Sequence, residues 1–461
     1  MEATNKLKKE LNKRHILFIA LGSAIGTGLF LGSATTIKLA GPSVLFAYII
    51  AGLAAFLTMR ALGEMAINAP QLKTFSSYTG KFISPLAGFI TGWSYVFQIA
   101  FVCLADVTAF ATYMKFWYPD VSAWIWTLAL GCFICAVNLV TVKTYGELEF
   151  WFSIIKVLAI LAMIAGGVFL ISTGFHSAHH SITHVNHVSS PAYWFPNGIS
   201  GFVQCLPIVI YSFGGIEIIG ITAAEAKHPE TSIPKAINTI PFRIIFFYVL
   251  TIGVLISIYP WDQIGIDGSP FVTICEALGI HSAANILNVI VITAAVSSLN
   301  SVIYGASRMI YSLAEEGHAL KHLNKLSEKG VPIYAIFVML SVLVSGVLFN
   351  YFNHEGLFVI IANIVGLTSI ASWFMIVLAQ LLMRAKMTAQ EKANLKYPVP
   401  LWPITSILTL LFLSFIMVLI AIHQVNALFY GLCWIFSLVA IYFSIKHLDK
   451  TGRFVHKVAR T

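Results

Sequence analysis

The sequence predicts an all-α polytopic membrane protein of twelve transmembrane helices, and three observations predict it. Hydrophobic residues make up 58 % of the 461 positions and charged residues 10 %, where soluble domains carry about 25 % charge. Apolar runs recur along the whole chain, each near the roughly 20 residues that a spanning helix needs. Basic residues fall between those runs on alternate sides. A globule with so little charge could not cover its surface. A soluble enzyme, a disordered chain and a nucleic-acid binder are therefore excluded, and no nucleic-acid partner is expected despite the net charge of +9.

The spans follow in order, separated by polar or turn-rich segments. Span one, 16–37, follows a charged and polar tail, 1–15. No small-residue cleavage site closes this first apolar run, so no cleavable signal peptide is expected. Spans two to five run over 43–68, 86–114, 121–142 and 149–173. A loop over 174–197 follows, with five histidines and no Lys or Arg before the next span. Spans six to ten run over 198–224, 239–259, 284–313, 333–352 and 357–383. Spans eleven and twelve, 404–423 and 427–445, lie in a further block over 384–446. The tail 447–461 is basic again.

The Lys and Arg positions test this map. With the N-terminus in the cytoplasm, 25 of the 28 fall on the cytoplasmic side. Lys38 and Lys115 fall outside, and Lys156 alone lies within a span. A wrong span number would scramble the alternation. Both termini are therefore expected in the cytoplasm. His176, His179, His180, His184 and His187 in the external loop read either as a metal or pH-sensing site or as a loop kept free of permanent positive charge. The six cysteines are scattered, and Cys132 and Cys135 form a CxxC within an apolar run, where small hydrophobes are expected. No metal and no cofactor is expected.

Two spans carry helix breakers. Span one reads Gly22-Ser23-Ala24-Ile25-Gly26-Thr27-Gly28-Leu29-Phe30, and span six reads Tyr211-Ser212-Phe213-Gly214-Gly215-Ile216-Glu217. Clustered glycines weaken a helix. Irregular backbone at membrane depth is tolerated where it lines a cavity or is buried in protein. A zwitterion supplies partners for the freed groups. Its carboxylate accepts from N–H groups at a half-helix N-terminus, and its ammonium donates to freed carbonyls. Ser23, Ala24, Gly26, Thr27, Gly28, Tyr211, Ser212, Phe213 and Gly214 are the candidate substrate residues. Paired interruptions in two halves point to a site at a repeat interface. The competing reading is close helix packing of the GxxxG kind, for which Gly22 and Gly26 have the spacing.

These residues resemble a known family. Gly22 to Phe30, Ala40-Gly-Pro-Ser43, Arg60-Ala-Leu-Gly-Glu-Met65, Phe213 to Gly220, Ala224-Glu-Ala-Lys-His-Pro-Glu230 and Ser307-Arg-Met309 are similar to signatures of the amino-acid permeases of the amino acid–polyamine–organocation superfamily. Ala105 to Phe110 and Gly146 to Phe152 look closest to the bacterial proline-specific permeases, and the histidine permeases are similar too. The resemblance covers about residues 6–446. It implies a leucine-transporter-like fold of two inverted five-helix repeats, 16–173 and 198–383, plus two additional helices. It also implies proton-coupled amino-acid uptake across a bacterial inner membrane, with the proton as coupling ion.

Ionisable residues within spans are functional candidates because burying them is costly. Lys156 in span five matches, by that resemblance, the position where some proton-coupled members hold a lysine in place of a sodium ion. It reads either as the coupling group or as a structural donor to the carbonyls of span one. Glu217 reads either as a proton carrier or gate, or as a tie between span six and a neighbour. Asp106 in span three is a further coupling candidate with a structural alternative. Glu225 near the end of span six reads as a gate or cap. Ser297, Ser298, Asn300 and Ser301 crowd span eight, and the resemblance places that span against span one.

Other classes fit poorly. There is no charged ring for a channel, no GxxxxGK[ST] for a pump, and no catalytic constellation for an enzyme. The substrate is expected to be a neutral or weakly basic amino acid. Proline stands first by resemblance and histidine second, with aromatic or aliphatic amino acids, exchange in place of symport, and a channel or receptor as alternatives.

Overall fold

The computed structural model describes residues 11–23, 25–138, 142–173, 191–264, 269–277, 280–351, 357–423 and 425–450. The first part of the chain forms α1 (Lys13–Ser23), α2 (Ser33–Ala40), α3 (Val44–Asn68), α4 (Phe75–Phe82), α5 (Pro85–Lys115), α6 (Ala123–Asn138) and α7 (Val142–Ser172). The middle part forms α8 (Pro191–Trp194), α9 (Gly198–Ser212), α10 (Ile218–Thr222), α11 (Pro229–Asn238), α12 (Ile240–Arg243), α13 (Thr251–Ile258), α14 (Pro270–Ala277) and α15 (His281–Glu315). The last part forms α16 (Ile333–Tyr351), α17 (Leu357–Ala385), α18 (Ala389–Ala393), α19 (Ile404–His423) and α20 (Val425–Lys450).

Helix occupies every stretch expected to span. Among the described residues, eight helical stretches are by themselves long and apolar enough to cross a membrane. One of them, Gly28–Asn68, joins the second half of span one to span two, and Ala123–Asn138, Gly198–Ser212 and Ile333–Leu348 are shorter apolar helices. The protein is an all-α, multi-pass membrane protein.

The connectors differ from expectation. The segment holding Cys275 falls between the expected spans seven and eight, yet it forms α14, and α4 and α11 occupy two further connectors. These helices are short, so their own apolar periods are too brief to stand out in the sequence.

Burial orders the helices. In the apolar windows of α5 and α15, 67 % of residues are buried, against 22 % in α7 and 6 % in α20. Helices α5 and α15 therefore form the axis, and α7, α19 and α20 present apolar faces outward. Helix α7 is polar on its inner face. Tyr145, Glu149, Ser153 and Lys156 recur at helical spacing and are all buried, while Trp151, Leu158 and Phe169 are exposed. A helix that turns its polar side inward suits a lipid solvent.

Local chemistry fixes the ends. Gly41 ends α2 at φ +60°, and a Cβ there would lie 2.4 Å from Pro196. Asn197 donates to the carbonyls of Lys38 and Leu39 at 3.1 and 3.0 Å, satisfying two orphans of that helix end. Gly366 brings α17 onto α9, since a Cβ would stand 2.5 Å from the Pro207 carbonyl oxygen. The buried Glu64 accepts from Gln380 at 2.9 Å and from the Val399 N–H, and it pairs with Arg384 at 3.4 Å. The Arg60–Met65 motif is thus an anchor for α3, α17 and the segment before α19.

Candidate functional site

Both expected interruptions are present. Helix α1 ends at Ser23, bends follow at Ile25 and Gly26, and a π-helical turn over Gly28–Gly32 starts the second half. The Gly26 carbonyl accepts the N–H groups of Leu29 and Phe30 at 3.2 and 3.4 Å. The N–H groups of Gly26, Thr27 and Gly28 stand at the start of this second half. Helix α9 ends at Ser212, and turns carry the chain from Phe213 to Glu217 before α10 begins. Gly215 sits there at φ +96°, a conformation that excludes most side chains.

The two interruptions touch. A Cβ on Gly28 would lie 2.5 Å from Ser212 Cα, and one on Gly26 would lie 3.1 Å from Ser298 Oγ of α15. Thr27 joins three elements. Its hydroxyl donates to Asp106 Oδ1 of α5 at 2.7 Å, and it lies 2.9 Å from the Tyr211 hydroxyl at the end of α9. With the Thr27 proton directed at Asp106, Tyr211 is the donor to Thr27. All three residues are buried.

The carbonyls freed in span six are partly engaged. That of Tyr211 accepts from the Gly214 N–H at 2.9 Å, and that of Ser212 accepts from the Tyr248 hydroxyl at 2.7 Å. The Tyr211 carbonyl also receives the Phe213 N–H. Phe213 lies edge-on to Tyr48 and Tyr248, with centroids 5.9 and 5.0 Å away. Ser369 of α17 faces the same break, with Oγ 3.9 Å from where a Gly214 Cβ would stand. Its hydroxyl and both amide atoms of the buried Gln98 on α5 have no hydrogen-bond partner among the described residues.

Glu217 closes the span-six break. One carboxylate oxygen accepts the Gly215 N–H at 2.9 Å, and the other accepts the indole N–H of Trp373 on α17. Both side chains are fully buried. Lys156 is buried on α7, with Glu149 and Asp106 as its charged neighbours. Glu149 was not singled out in the sequence, although it lies seven residues before Lys156 on the same helix face. It accepts from the Ser297 hydroxyl of α15, and Ser153 between them donates to the Phe18 carbonyl of α1 at 2.8 Å.

The polar contacts continue toward the C-terminal end of α15. The Tyr145 hydroxyl lies 3.3 Å from Ser301 Oγ, and its ring stacks on Tyr304 at 4.0 Å. Tyr304 donates to Glu225 at 2.8 Å, and Arg308 donates to the other oxygen of Glu225 at 2.9 Å. Asn300 accepts from Asn138 of α6 at 2.9 Å. The structure thus brings Gly26, Thr27, Gly28, Asp106, Tyr211, Ser212, Phe213, Gly214 and Ser298 to one centre. Lys156 and Ser297 stand beside it, Glu217 follows the span-six break, and Glu225 meets Tyr304 and Arg308 of α15. Ala24 lies outside the described residues, as do the five histidines of the external loop. Among the described residues no group of His, Cys, Asp or Glu could hold a metal ion.

A family profile described as "Amino acid permease" matches residues 15–454. The chain is 43 % identical over 440 residues to the uncharacterized amino acid permease YtnA of Bacillus subtilis, covering 95 % of each chain. It is 42 % identical to the amino-acid permease AapA of the same organism, again over 95 % of each. To the aromatic amino acid transport protein AroP of Escherichia coli it is 42 % identical over 415 residues, 90 % of each chain.

Proposed function

The chain belongs to the amino acid permease family, and we propose that it imports a neutral amino acid together with a proton across a bacterial inner membrane, with both termini in the cytoplasm. The reading takes spans one to five and six to ten as inverted repeats around the paired breaks. The substrate carboxylate binds N–H groups of Gly26, Thr27 and Gly28. Its ammonium donates to carbonyls near Tyr211, Ser212 and Gly214. The observation that carries the reading is Thr27, which links the span-one break to Asp106 and to Tyr211 in one buried set of contacts. A broken helix tied in this way to a titratable side chain couples backbone binding to protonation.

Lys156 supplies the second half of the argument. A cation buried at this depth must be compensated or exchange its proton. Protonated from outside, it braces span five against spans one and eight and favours binding. Deprotonated toward the cytoplasm, it lets them loosen and favours release. Glu217, tied to Trp373 and Gly215, holds the span-six break in shape, and Glu225 with Arg308 closes the cytoplasmic end.

Proline is the first substrate by resemblance. Aromatic amino acids are the second reading, favoured by the relative named as an aromatic amino acid transport protein and by Tyr48, Tyr248 and Phe213 at the break. Uptake of labelled amino acids into proteoliposomes, with and without an inward proton gradient, tests both points. Gradient-stimulated accumulation of proline alone, or of aromatics alone, decides the substrate. Uptake that ignores the gradient overturns proton coupling. In the same assay Lys156→Ala loses the response to the gradient more than it loses counterflow. Lys156→Arg, which does not deprotonate, blocks cycling.

A further inference from the structure

We propose that Glu149 is the proton partner of Lys156: it receives the coupling proton from the lysine ammonium and releases it toward the cytoplasm. The inference rests on the proton-coupled reading above and names a residue for its release step.

Position comes first. Lys156 and Glu149 lie seven residues apart, two helical turns, on the buried face of α7, with the buried Ser153 between them. Glu149 is fully buried, and Lys156 is its charged neighbour. The other groups facing it are Tyr145 on its own helix and Ser297, Asn300 and Ser301 on α15. Asp106 is the second charged neighbour of Lys156, from α5. Asp106 is held toward the substrate break by Thr27, whereas Glu149 lies on the face that continues to Tyr145. The two carboxylates thus approach the lysine from different helices, Asp106 beside Ser298 and Glu149 beside Ser297.

Connection comes second. Beyond Glu149 the contacts run through Ser301 and Tyr145 to the stacked Tyr304 and then to Glu225 and Arg308. This is a continuous polar seam between α7 and α15 in a region otherwise filled with apolar side chains. Burying such groups is costly unless they are paired. Most of them pair here with one another, while Glu149 Oε2 has no hydrogen-bond partner among the described residues.

The transfer balances. An N–H bond of the Lys156 ammonium breaks and an O–H bond forms on the Glu149 carboxylate, leaving a neutral amine and a neutral acid. When the cytoplasmic side opens, that O–H bond breaks in turn, the proton passes to water and the carboxylate is restored. The ion pair becomes a neutral pair on transfer, and release leaves the Glu149 carboxylate beside a neutral lysine until Lys156 takes the next proton.

The experiment compares Glu149→Gln, Glu149→Asp and Lys156→Ala with the parent in proteoliposomes. Gln keeps an acceptor for the Ser297 hydroxyl but cannot take a proton. Glu149→Gln should lower gradient-driven accumulation at least tenfold while counterflow falls less than threefold, and uptake should lose its dependence on luminal pH. Glu149→Asp should restore that pH dependence in part. If Lys156→Ala is uncoupled but Glu149→Gln accumulates substrate with the parent's pH profile, the inference fails and the coupling reading stands. If accumulation and counterflow fall together in both Gln and Asp variants, Glu149 is a structural tie only and the inference also fails. If the parent itself ignores the gradient, the coupling reading fails and takes this inference with it.

Discussion

Gly28 and Ser212 hold the two interrupted helices against each other: a Cβ on Gly28 would stand 2.5 Å from the Ser212 Cα. The atom in the way is backbone, so no rotamer change relieves the clash. At Gly26 the nearest atom is the Ser298 hydroxyl at 3.1 Å, which can turn aside.

The two glycines should therefore respond differently. Gly28→Ala should force the breaks apart, with an overpacking cost of about 1–3 kcal/mol and a loss of substrate affinity of tenfold or more. Gly26→Ala should be milder on both counts, while Gly26→Leu, which cannot fit beside Ser298, should abolish binding in a folded protein. Equilibrium binding and thermal unfolding on purified variants check this. Equal effects of the two alanines would show that the contact between breaks does not shape the site.

Arg308 and Glu225 form a buried ion pair, with side chains 4 % and 0 % exposed, and the guanidinium also lies 3.7 Å from the Tyr304 ring centroid. Removing one partner of such a pair leaves an uncompensated charge, at a cost of about 3–5 kcal/mol. Arg308→Ala should thus lower the midpoint of thermal unfolding by several degrees. The double variant Arg308→Met with Glu225→Gln should recover much of that loss. A double variant as unstable as the single would mean that packing, not charge, dominates at this end.

Much of this site was legible in the sequence because glycine clusters and lone charges stand out against apolar runs. Gly26–Gly28 and Gly214–Gly215 announced both breaks, and Lys156 was what the basic-residue count left over. Glu149 escaped because it fell at the expected first residue of span five, where a carboxylate passes as an interfacial group. Only the folded α7, with Tyr145, Glu149, Ser153 and Lys156 on one buried face, shows it to be internal. Likewise a sequence cannot orient α5, so Gln98 could not be aimed. The dual nature of Glu217 needed Trp373, a residue 156 positions away, which no local pattern indicates.

The segment before α1 makes a pH-sensitive dock. The Leu11 N–H donates to the Glu225 carbonyl, and the Leu11 carbonyl accepts from Lys227, both at 3.2 Å. His15, just outside the first apolar run, has a fully buried side chain 3.1 Å from Glu147. Burial pulls its pKa below the ordinary imidazole value, and Glu147 only partly offsets this. Folding therefore favours neutral His15. The stabilisation is present above the unfolded pKa of about 6.5 and is lost as pH falls below it. Hydrogen exchange at Leu11, corrected for the intrinsic rate, should be less protected at pH 5.5 than at 7.5, and His15→Phe should remove the difference. Protection that does not change with pH in the parent would exclude His15 as the sensor.

Glu217 and Trp373 should be coupled in energy because each satisfies the other inside the protein. Trp373→Phe removes the indole donor and leaves one carboxylate oxygen with less support, a cost of about 1–3 kcal/mol for an unsatisfied buried group. Glu217→Gln has one acceptor oxygen where the carboxylate has two, so it can accept the indole or the Gly215 N–H but not both, and it should weaken the turn from Phe213 to Glu217. A double-mutant cycle on thermal stability should give a favourable interaction of at least about 0.5 kcal/mol, the lower end for residues in contact. If Glu217 only shapes the break, Glu217→Gln and Trp373→Phe will both weaken substrate binding while the response to the gradient is kept. If Glu217 carries the proton instead, Glu217→Gln will lose the response to the gradient and Trp373→Phe will keep it. Measuring binding and gradient response on the same two variants separates a carboxylate that holds backbone from one that moves charge. The contacts with Gly215 and Trp373 predict the first outcome.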